Sequence, residues 1–200
     1  RPEDFAGLLA LLRHRFAFAP DAEIAVEIDP RRMASAMIAT LASQGVNRAS
    51  IGIQSFDPLV QRAINRIQSP QQTAEVVAGL RKAGVAAISF DLIYGLPGQS
   101  VDSCIETVEQ CLALAPDRIS VFGYAHLPGF KKHQRRIAEA DLPGGEARRA
   151  QAEAIAQRLV AGGFLRIGLD HFARPRDPMA IAWKEGRLHR NFQGYTTDSC

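Results

Sequence analysis

An alternating order of short apolar segments and amphipathic runs constrains the fold of this chain most strongly. Four segments, at residues 24–29, 49–56, 86–94 and 118–124, are short and rich in branched side chains, as β-strands are. Helical runs separate them, which gives the order β-α-β-α-β-α-β. Strands that alternate with helices pair in parallel through right-handed crossovers, so the order predicts an α/β sheet or barrel.

Capping residues mark where the helices begin. Asp29, Asp57 and Ser69 each precede a proline, and Ser100 precedes a long amphipathic run. These side chains satisfy free helix N–H groups, and proline is tolerated at the first helical position. The sequence therefore predicts helices over about residues 30–44, from 58 to near 66, from 70 to near 83, and from 101 to near 115.

The strands have one bulky apolar face and one polar or small face. Ser50, Gly52 and Gln54 alternate with apolar neighbours, and Asp91 lies between apolar residues in the same way. An open sheet covered on both faces would bury nearly continuous apolar strands. The pattern therefore favours a barrel-like curl with helices outside and a polar cavity inside.

The rhythm changes after Tyr124. Two Pro-Gly loops flank a basic stretch, and an Ala-rich helix is predicted over about residues 146–161, with a strand-like segment at 164–169. This change predicts a domain boundary, with one domain at 1–126 and the start of another at 127–200.

Composition limits the classes of function. The chain is 46% hydrophobic and 22% charged, and no apolar run approaches the roughly 18 residues of a membrane span. The first residues do not resemble a signal peptide, which favours the cytoplasm. A net charge of +3 without long basic runs or interleaved aromatics does not indicate nucleic-acid binding.

The three cysteines do not form a metal-binding pattern. Cys104 and Cys111 fall in one apolar stripe, which predicts a buried helical face, and Cys200 is the last residue. A metal site generally needs three or four ligands in a defined cluster. No metal ligand is therefore assigned within this chain.

Polar residues stand at the predicted strand ends. They are Glu27, Gln54, Asp91 and Tyr124. In parallel α/β folds the carboxyl ends of strands carry the functional site. Each residue could also be an ordinary strand-end group that binds a nearby helix N-terminus, but four in register favour a ligand site.

Several motifs resemble the oxygen-independent coproporphyrinogen III oxidases of the radical S-adenosylmethionine (SAM) superfamily. The first group is EIDP at 27–30, GIQSF at 52–56, VQRAINR at 60–66, DLIYGLP at 91–97 and YAHLP at 124–128. The second group is QRRI at 134–137, DHFA at 170–173 and LHRNFQGYTT at 188–197. The first group is shared in looser form with related haem chaperones, whereas DHF and the stretch from His189 to Thr197 separate the oxidases from them.

The resemblance implies a fold and a chemistry. The expected fold is a partial (β/α)6 radical SAM barrel, with the later strands only, followed by the start of a smaller, mostly helical C-terminal domain. A [4Fe-4S] cluster held by a CxxxCxxC motif would reduce SAM to a 5′-deoxyadenosyl radical that attacks propionate side chains of coproporphyrinogen III. Two vinyl groups result, giving protoporphyrinogen IX. The implied partners are this substrate and an electron donor, and a monomer is expected.

The resemblance also implies the cofactor-binding residues. Glu27, Gln54, Arg66, Asp91 and Ala125 match family residues that contact SAM, Ala125 through its backbone. His126, His171 and His189 receive no catalytic role, and the catalytic residue stays unknown. Six basic residues could attract a substrate with four carboxylates: Lys131, Lys132, Arg135, Arg136, Arg174 and Arg190. A solvated helix face, however, is the favoured explanation for most of the first four.

The cluster cysteines of the family are expected upstream of Arg1. The chain is therefore expected to be a fragment that neither builds the cluster nor turns over substrate by itself. Two alternatives remain open: a radical SAM relative that traffics haem, and a non-catalytic α/β module that binds SAM.

Overall fold

The computed structural model describes residues 1–191 and 194–197, so Phe192, Gln193 and Cys200 lie outside the described residues. The described α-helices are α1 (Pro2–Arg15), α2 (Ser35–Ser43), α3 (Pro58–Ala63), α4 (Pro70–Lys82), α5 (Val101–Ala113), α6 (Gly145–Ala161) and α7 (Pro178–Lys184). The described strands are β1 (Ala25–Ile28), β2 (Arg48–Gln54), β3 (Ala87–Tyr94), β4 (Arg118–Gly123), β5 (Leu165–Ile167), β6 (His171–Ala173), β7 (His189–Asn191) and β8 (Gly194–Thr196). Short 3₁₀ helices span Pro30–Arg32, Lys132–Arg136 and Glu139–Asp141.

The strands form one larger and one smaller sheet. The six-stranded sheet has the order β1-β2-β3-β4-β6-β5, and β7 pairs with β8. β1 and β2 are parallel, and helical crossovers lead on to β3 and β4. β6 runs antiparallel to both β4 and β5. The predicted α/β fold with a mostly parallel sheet is confirmed, and its antiparallel extension was not predicted.

Three predicted helix caps form as expected. Asp57 accepts hydrogen bonds from the backbone N–H groups of Leu59 and Val60, and Ser69 accepts one from Gln72. Ser100 and Ser103 form a reciprocal capping box at the start of α5. Each cap satisfies N–H groups that have no partner inside the helix.

The helix predicted over 30–44 is wrong in its first turns. Asp29 accepts a hydrogen bond from the backbone N–H of Arg31 and forms an ion pair with its guanidinium at 2.6 Å. These contacts close a single 3₁₀ turn. Met33 and Ala34 then have extended backbones, and α2 starts only at Ser35.

The chain divides by its contacts into two compact units. One comprises residues 1–52 and 68–89, and the other comprises 53–67 and 90–200, with β2 and β3 running through both. The first unit buries Leu41, Val46, Ile51, Leu80, Val85 and Ile88. The second buries Ile53, Phe90, Val108, Ile119, Leu159 and Phe164. The boundary predicted between 1–126 and 127–200 stays a prediction.

In the described part of the chain, no helix combines the length and the apolar character that crossing a membrane requires.

Candidate cofactor-binding site

Gln54 ends β2 in an unusual backbone conformation. Its φ is +66°, in the left-handed region that few residues other than glycine adopt. Such a conformation costs roughly 1–3 kcal/mol and persists only where the surrounding structure holds it. Strained residues of this kind cluster at functional sites, so the backbone marks Gln54 independently of its side-chain chemistry.

Buried hydrogen bonds hold the segment directly after Gln54. Ser55 is fully buried, and its carbonyl accepts a hydrogen bond at 2.9 Å from the side-chain amide of Gln61 in α3. The Thr107 hydroxyl of α5 accepts a hydrogen bond from the N–H of Phe56 at 3.1 Å. These contacts connect the end of β2 to two helices and thereby maintain the strained turn.

Asp91 lies on the polar face of the sheet. Along β3 it alternates with Phe90 and Leu92, which are 0% and 2% exposed, whereas Asp91 is half-buried. On that face, the Ser89 hydroxyl accepts a hydrogen bond at 3.4 Å from Arg48 of β2. Asp91 therefore projects from the same side of the sheet as Arg48, whereas the left-handed backbone of Gln54 ends the alternation of β2.

Two buried glutamines shape the loop after β3. The side-chain oxygen of Gln99 accepts a hydrogen bond from the N–H of Leu96 at 3.0 Å, and its amide nitrogen donates to the Ile93 carbonyl at 3.0 Å. Gln151 of α6 accepts from the N–H of Gly95 at 2.9 Å and donates to the Gln99 carbonyl at 2.7 Å. The loop thus keeps its backbone groups bonded away from water.

Arg148 fills the space between the ends of β3 and β4. It donates a hydrogen bond to the Tyr124 carbonyl at 2.7 Å. A Cβ at Gly95 would lie 3.0 Å from the Nε of Arg148, and one at Gly123 would lie 2.9 Å from the hydroxyl of Tyr94. A side chain at either position would therefore press against Arg148 or Tyr94, and the φ of +79° at Gly95 independently favours glycine there.

Ala125, just past β4, is held through its backbone. Its carbonyl accepts a hydrogen bond at 3.0 Å from the side-chain amide of Gln134, whose oxygen accepts from the N–H of Leu127 at 2.6 Å. Gln134 is 8% exposed and belongs to the 3₁₀ helix Lys132–Arg136. One glutamine therefore fixes the orientation of the peptide groups around Ala125.

The remaining two predicted residues lie in different units. Arg66 is half-buried after α3, and its N–H donates to the backbone carbonyl of Gln61 at 2.8 Å. Glu27 lies in β1, is exposed, and is opposite Ser50 in the strand register. Gln54, Arg66, Asp91 and Ala125 belong to one unit and Glu27 to the other.

Sequence reasoning missed the residues that position this site. They are Gln61, Gln99, Gln134, Gln151 and Arg148. Gln151 bonds to Gly95, which lies 56 positions away along the chain, so no local pattern could reveal the contact.

The histidines have local partners. His171 Nδ1 lies 2.7 Å from Asp170 Oδ1, and its ring packs edge-on against Tyr195 with centroids 5.1 Å apart. His126 Nδ1 lies 3.1 Å from the hydroxyl of Tyr124, and burial raises the pKa of that hydroxyl. His189 is exposed in β7. None of these contacts assigns a catalytic role.

The described cysteines do not fit an iron–sulfur cluster. Cys104 and Cys111 are buried on α5, which confirms the predicted buried helical face. Burial, with a smaller contribution from the charge of Asp57, raises the pKa of Cys104 to about 12, and burial also raises the pKa of Cys111. Cluster ligands are thiolates, whereas these groups stay protonated. Within the described ranges, no three His, Cys, Asp or Glu side chains are grouped to hold a metal.

Comparison with known proteins gives the class. The model of the radical SAM superfamily matches residues 1–111, more than half of the chain. The chain therefore belongs to the radical SAM superfamily.

Within that superfamily the chain is similar to oxygen-independent coproporphyrinogen III oxidases. It is 63% identical to the one from Bradyrhizobium diazoefficiens over 98% of the chain, and 46% identical to one from Cereibacter sphaeroides over 100% of it. The solved coproporphyrinogen III oxidase of Escherichia coli, described as a radical SAM enzyme, is 42% identical over the whole chain with a TM-score of 0.96. The chain spans 44% of the length of the two curated relatives and 46% of the solved one.

We expect Gln151→Ala to destabilise the protein strongly. The change leaves the N–H of Gly95 and the carbonyl of Gln99 buried without these partners. Each unsatisfied group lowers the free energy of unfolding by about 1–3 kcal/mol. Gln157→Ala is the matched control, because Gln157 lies on the same helix and makes only an exposed contact with Glu153. Urea unfolding followed by circular dichroism measures the difference, and equal midpoints for the two variants would contradict this role of Gln151.

We also expect Cys104 and Cys111 to resist alkylation in the folded protein. Iodoacetamide reacts with thiolates, and with a pKa of about 12 roughly one Cys104 in ten thousand is ionised at pH 8. Peptide mass spectrometry should find both cysteines unmodified after native treatment and fully modified after treatment in denaturant. Rapid native labelling at pH 8 would show that these thiols are accessible and ionisable.

Proposed function

We propose that the protein containing this chain converts coproporphyrinogen III to protoporphyrinogen IX in haem biosynthesis. In this oxidative decarboxylation, each of two propionate side chains loses carbon dioxide, one hydrogen atom and one electron and becomes a vinyl group. The observation that carries the proposal is the similarity to a protein named for this activity, with 63% sequence identity over 98% of the chain. It extends beyond the 111 residues that the superfamily model matches.

The proposed cofactor is SAM, bound by Glu27, Gln54, Arg66, Asp91 and Ala125. Their donor set fits the molecule: carboxylates accept from ribose hydroxyls or an ammonium, and a guanidinium binds a carboxylate through paired hydrogen bonds. The amide of Gln54 both donates and accepts, and its strained backbone is supported by buried contacts. When bound, SAM supplies the one-electron chemistry that begins the oxidation of the propionate.

In this proposal the residues of this chain bind SAM and orient it. Asp91 offers a carboxylate on the polar face of the sheet and Gln54 offers an amide at the end of β2, while Gln134 fixes the peptide groups next to Ala125. The buried thiols do not fit the [4Fe-4S] cluster, so no step is assigned to them. The electron donor, the cytoplasmic location and the monomeric state belong to the same proposal.

The deciding experiment uses the protein that the complete gene encodes, purified and assayed without oxygen. Mass spectrometry of the product should show that each coproporphyrinogen III loses two carbon dioxide molecules and four hydrogen atoms. SAM consumption without loss of carbon dioxide would contradict the proposal. Haem binding without decarboxylation would instead support the haem-trafficking alternative.

We expect Asp91→Asn to weaken SAM binding by roughly ten- to a hundredfold, because a charged acceptor of hydrogen bonds is lost. The amide has nearly the same shape, so the thermal midpoint should change little. Asp102→Asn, at the exposed start of α5, is the matched control and should bind SAM normally. Titration calorimetry of the cluster-containing protein measures both, and wild-type affinity in the Asp91 variant would make Asp91 a structural residue.

A further inference from the structure

A basic cleft of about 660 Å³ lies between α3 and the 3₁₀ helix Lys132–Arg136. Its charged and titratable lining consists of Arg62, Lys132, Arg136 and His133, and its apolar lining includes Ile64 and Ile137. No Asp or Glu of residues 1–191 and 194–197 lines it. The volume is within the range of small-molecule sites. All the lining residues belong to one compact unit.

The cations of the basic cleft have no anionic partner within the described residues. Arg62, Lys132 and Arg136 are exposed, and none of them forms an ion pair there. Other arginines do have anionic partners. Arg118 binds the buried Asp177 at 2.8 Å, and Arg158 is paired with Glu109. Three uncompensated positive charges around one concave surface attract an anion.

The basic cleft lies beside the proposed SAM residues. Asn65, in its lining, has a φ of +53° and directly precedes Arg66. The 3₁₀ helix on the other side contains Gln134, which binds the carbonyl of Ala125. α3 follows β2 and the 3₁₀ helix follows β4, so both sides of the basic cleft come from loops after strand ends, where parallel α/β folds bind their ligands.

We propose that the basic cleft binds carboxylate arms of a tetrapyrrole substrate, with its isoleucines against the ring or the methylene groups of those arms. The inference rests on the proposed function and adds the residues that recognise the substrate. Guanidinium groups bind carboxylates through two parallel hydrogen bonds, which suits Arg62 and Arg136, and Lys132 supplies a compact positive charge.

Binding can be measured apart from turnover. The probe is coproporphyrin III, the stable oxidised form that keeps all four carboxylates, and its fluorescence is titrated with the cluster-containing protein of the complete gene. We expect the double variant Arg62→Gln/Arg136→Gln to raise the dissociation constant about tenfold or more, because charge-assisted hydrogen bonds are lost. The affinity of this double variant for coproporphyrin III should also depend less on salt concentration than that of the wild type.

The matched control removes two positive charges outside the basic cleft. Arg149→Gln/Lys184→Gln lowers the net charge equally, and both residues are exposed and absent from the lining. This control should bind the probe nearly as the wild type does. Equal loss of affinity in the two double variants would mean that net charge alone attracts the probe and would overturn the proposal. Failure of the wild type to bind coproporphyrin III would overturn it as well.

A kinetic measurement separates this inference from the proposed function. If the wild type decarboxylates coproporphyrinogen III, the double variant Arg62→Gln/Arg136→Gln should raise KM with a much smaller change in kcat. An unchanged KM would overturn the basic cleft while leaving the function intact. If the wild type binds the probe through these arginines but releases no carbon dioxide, the proposed function fails and the carboxylate site stands.

Discussion

The candidate site depends on how the backbone is satisfied where the parallel strands end. A chain that leaves a sheet ladder exposes N–H and C=O groups that must find partners if they are buried. Here the partners are side-chain amides, supplied by Gln61, Gln99, Gln134 and Gln151, all less than 9% exposed. Each donates to a backbone carbonyl, and three of them also accept from a backbone N–H. A neutral amide does both without placing a charge in the interior.

These supports explain why the functional groups can be unusual. The left-handed backbone of Gln54 is disfavoured by itself, but the buried segment after it is bonded to α3 and α5. Arg148 similarly bonds to the Tyr124 carbonyl just past β4 and packs against Gly95 after β3. Among the described residues, Arg62, Lys132 and Arg136 of the basic cleft have no ion-pair partner. Amides and one arginine thus support the loops, whereas these three cations remain for a ligand.

Strands and helix caps, which depend on neighbouring residues, were predictable from the sequence, whereas contacts between distant segments were not. Strands β1 to β4 and the caps at Asp57, Ser69 and Ser100 follow from residues within one turn of each boundary. The break after Arg32 was missed because Asp29 binds the side chain of Arg31 as well as its N–H, which favours a single tight turn. The antiparallel β6 was missed because its partner β4 lies about fifty residues earlier. The SAM residues came from a resemblance, and their supporting glutamines had no local signature.

The use of amides at the strand ends also bears on how the protein would respond to acid and base. Glutamine has no titratable proton, so the hydrogen bonds that shape these loops do not switch with pH. The loops should therefore keep one geometry while carboxylates and histidines near them change charge. A pH–rate profile of the enzyme would then report the groups that meet the ligand rather than the scaffold that carries them.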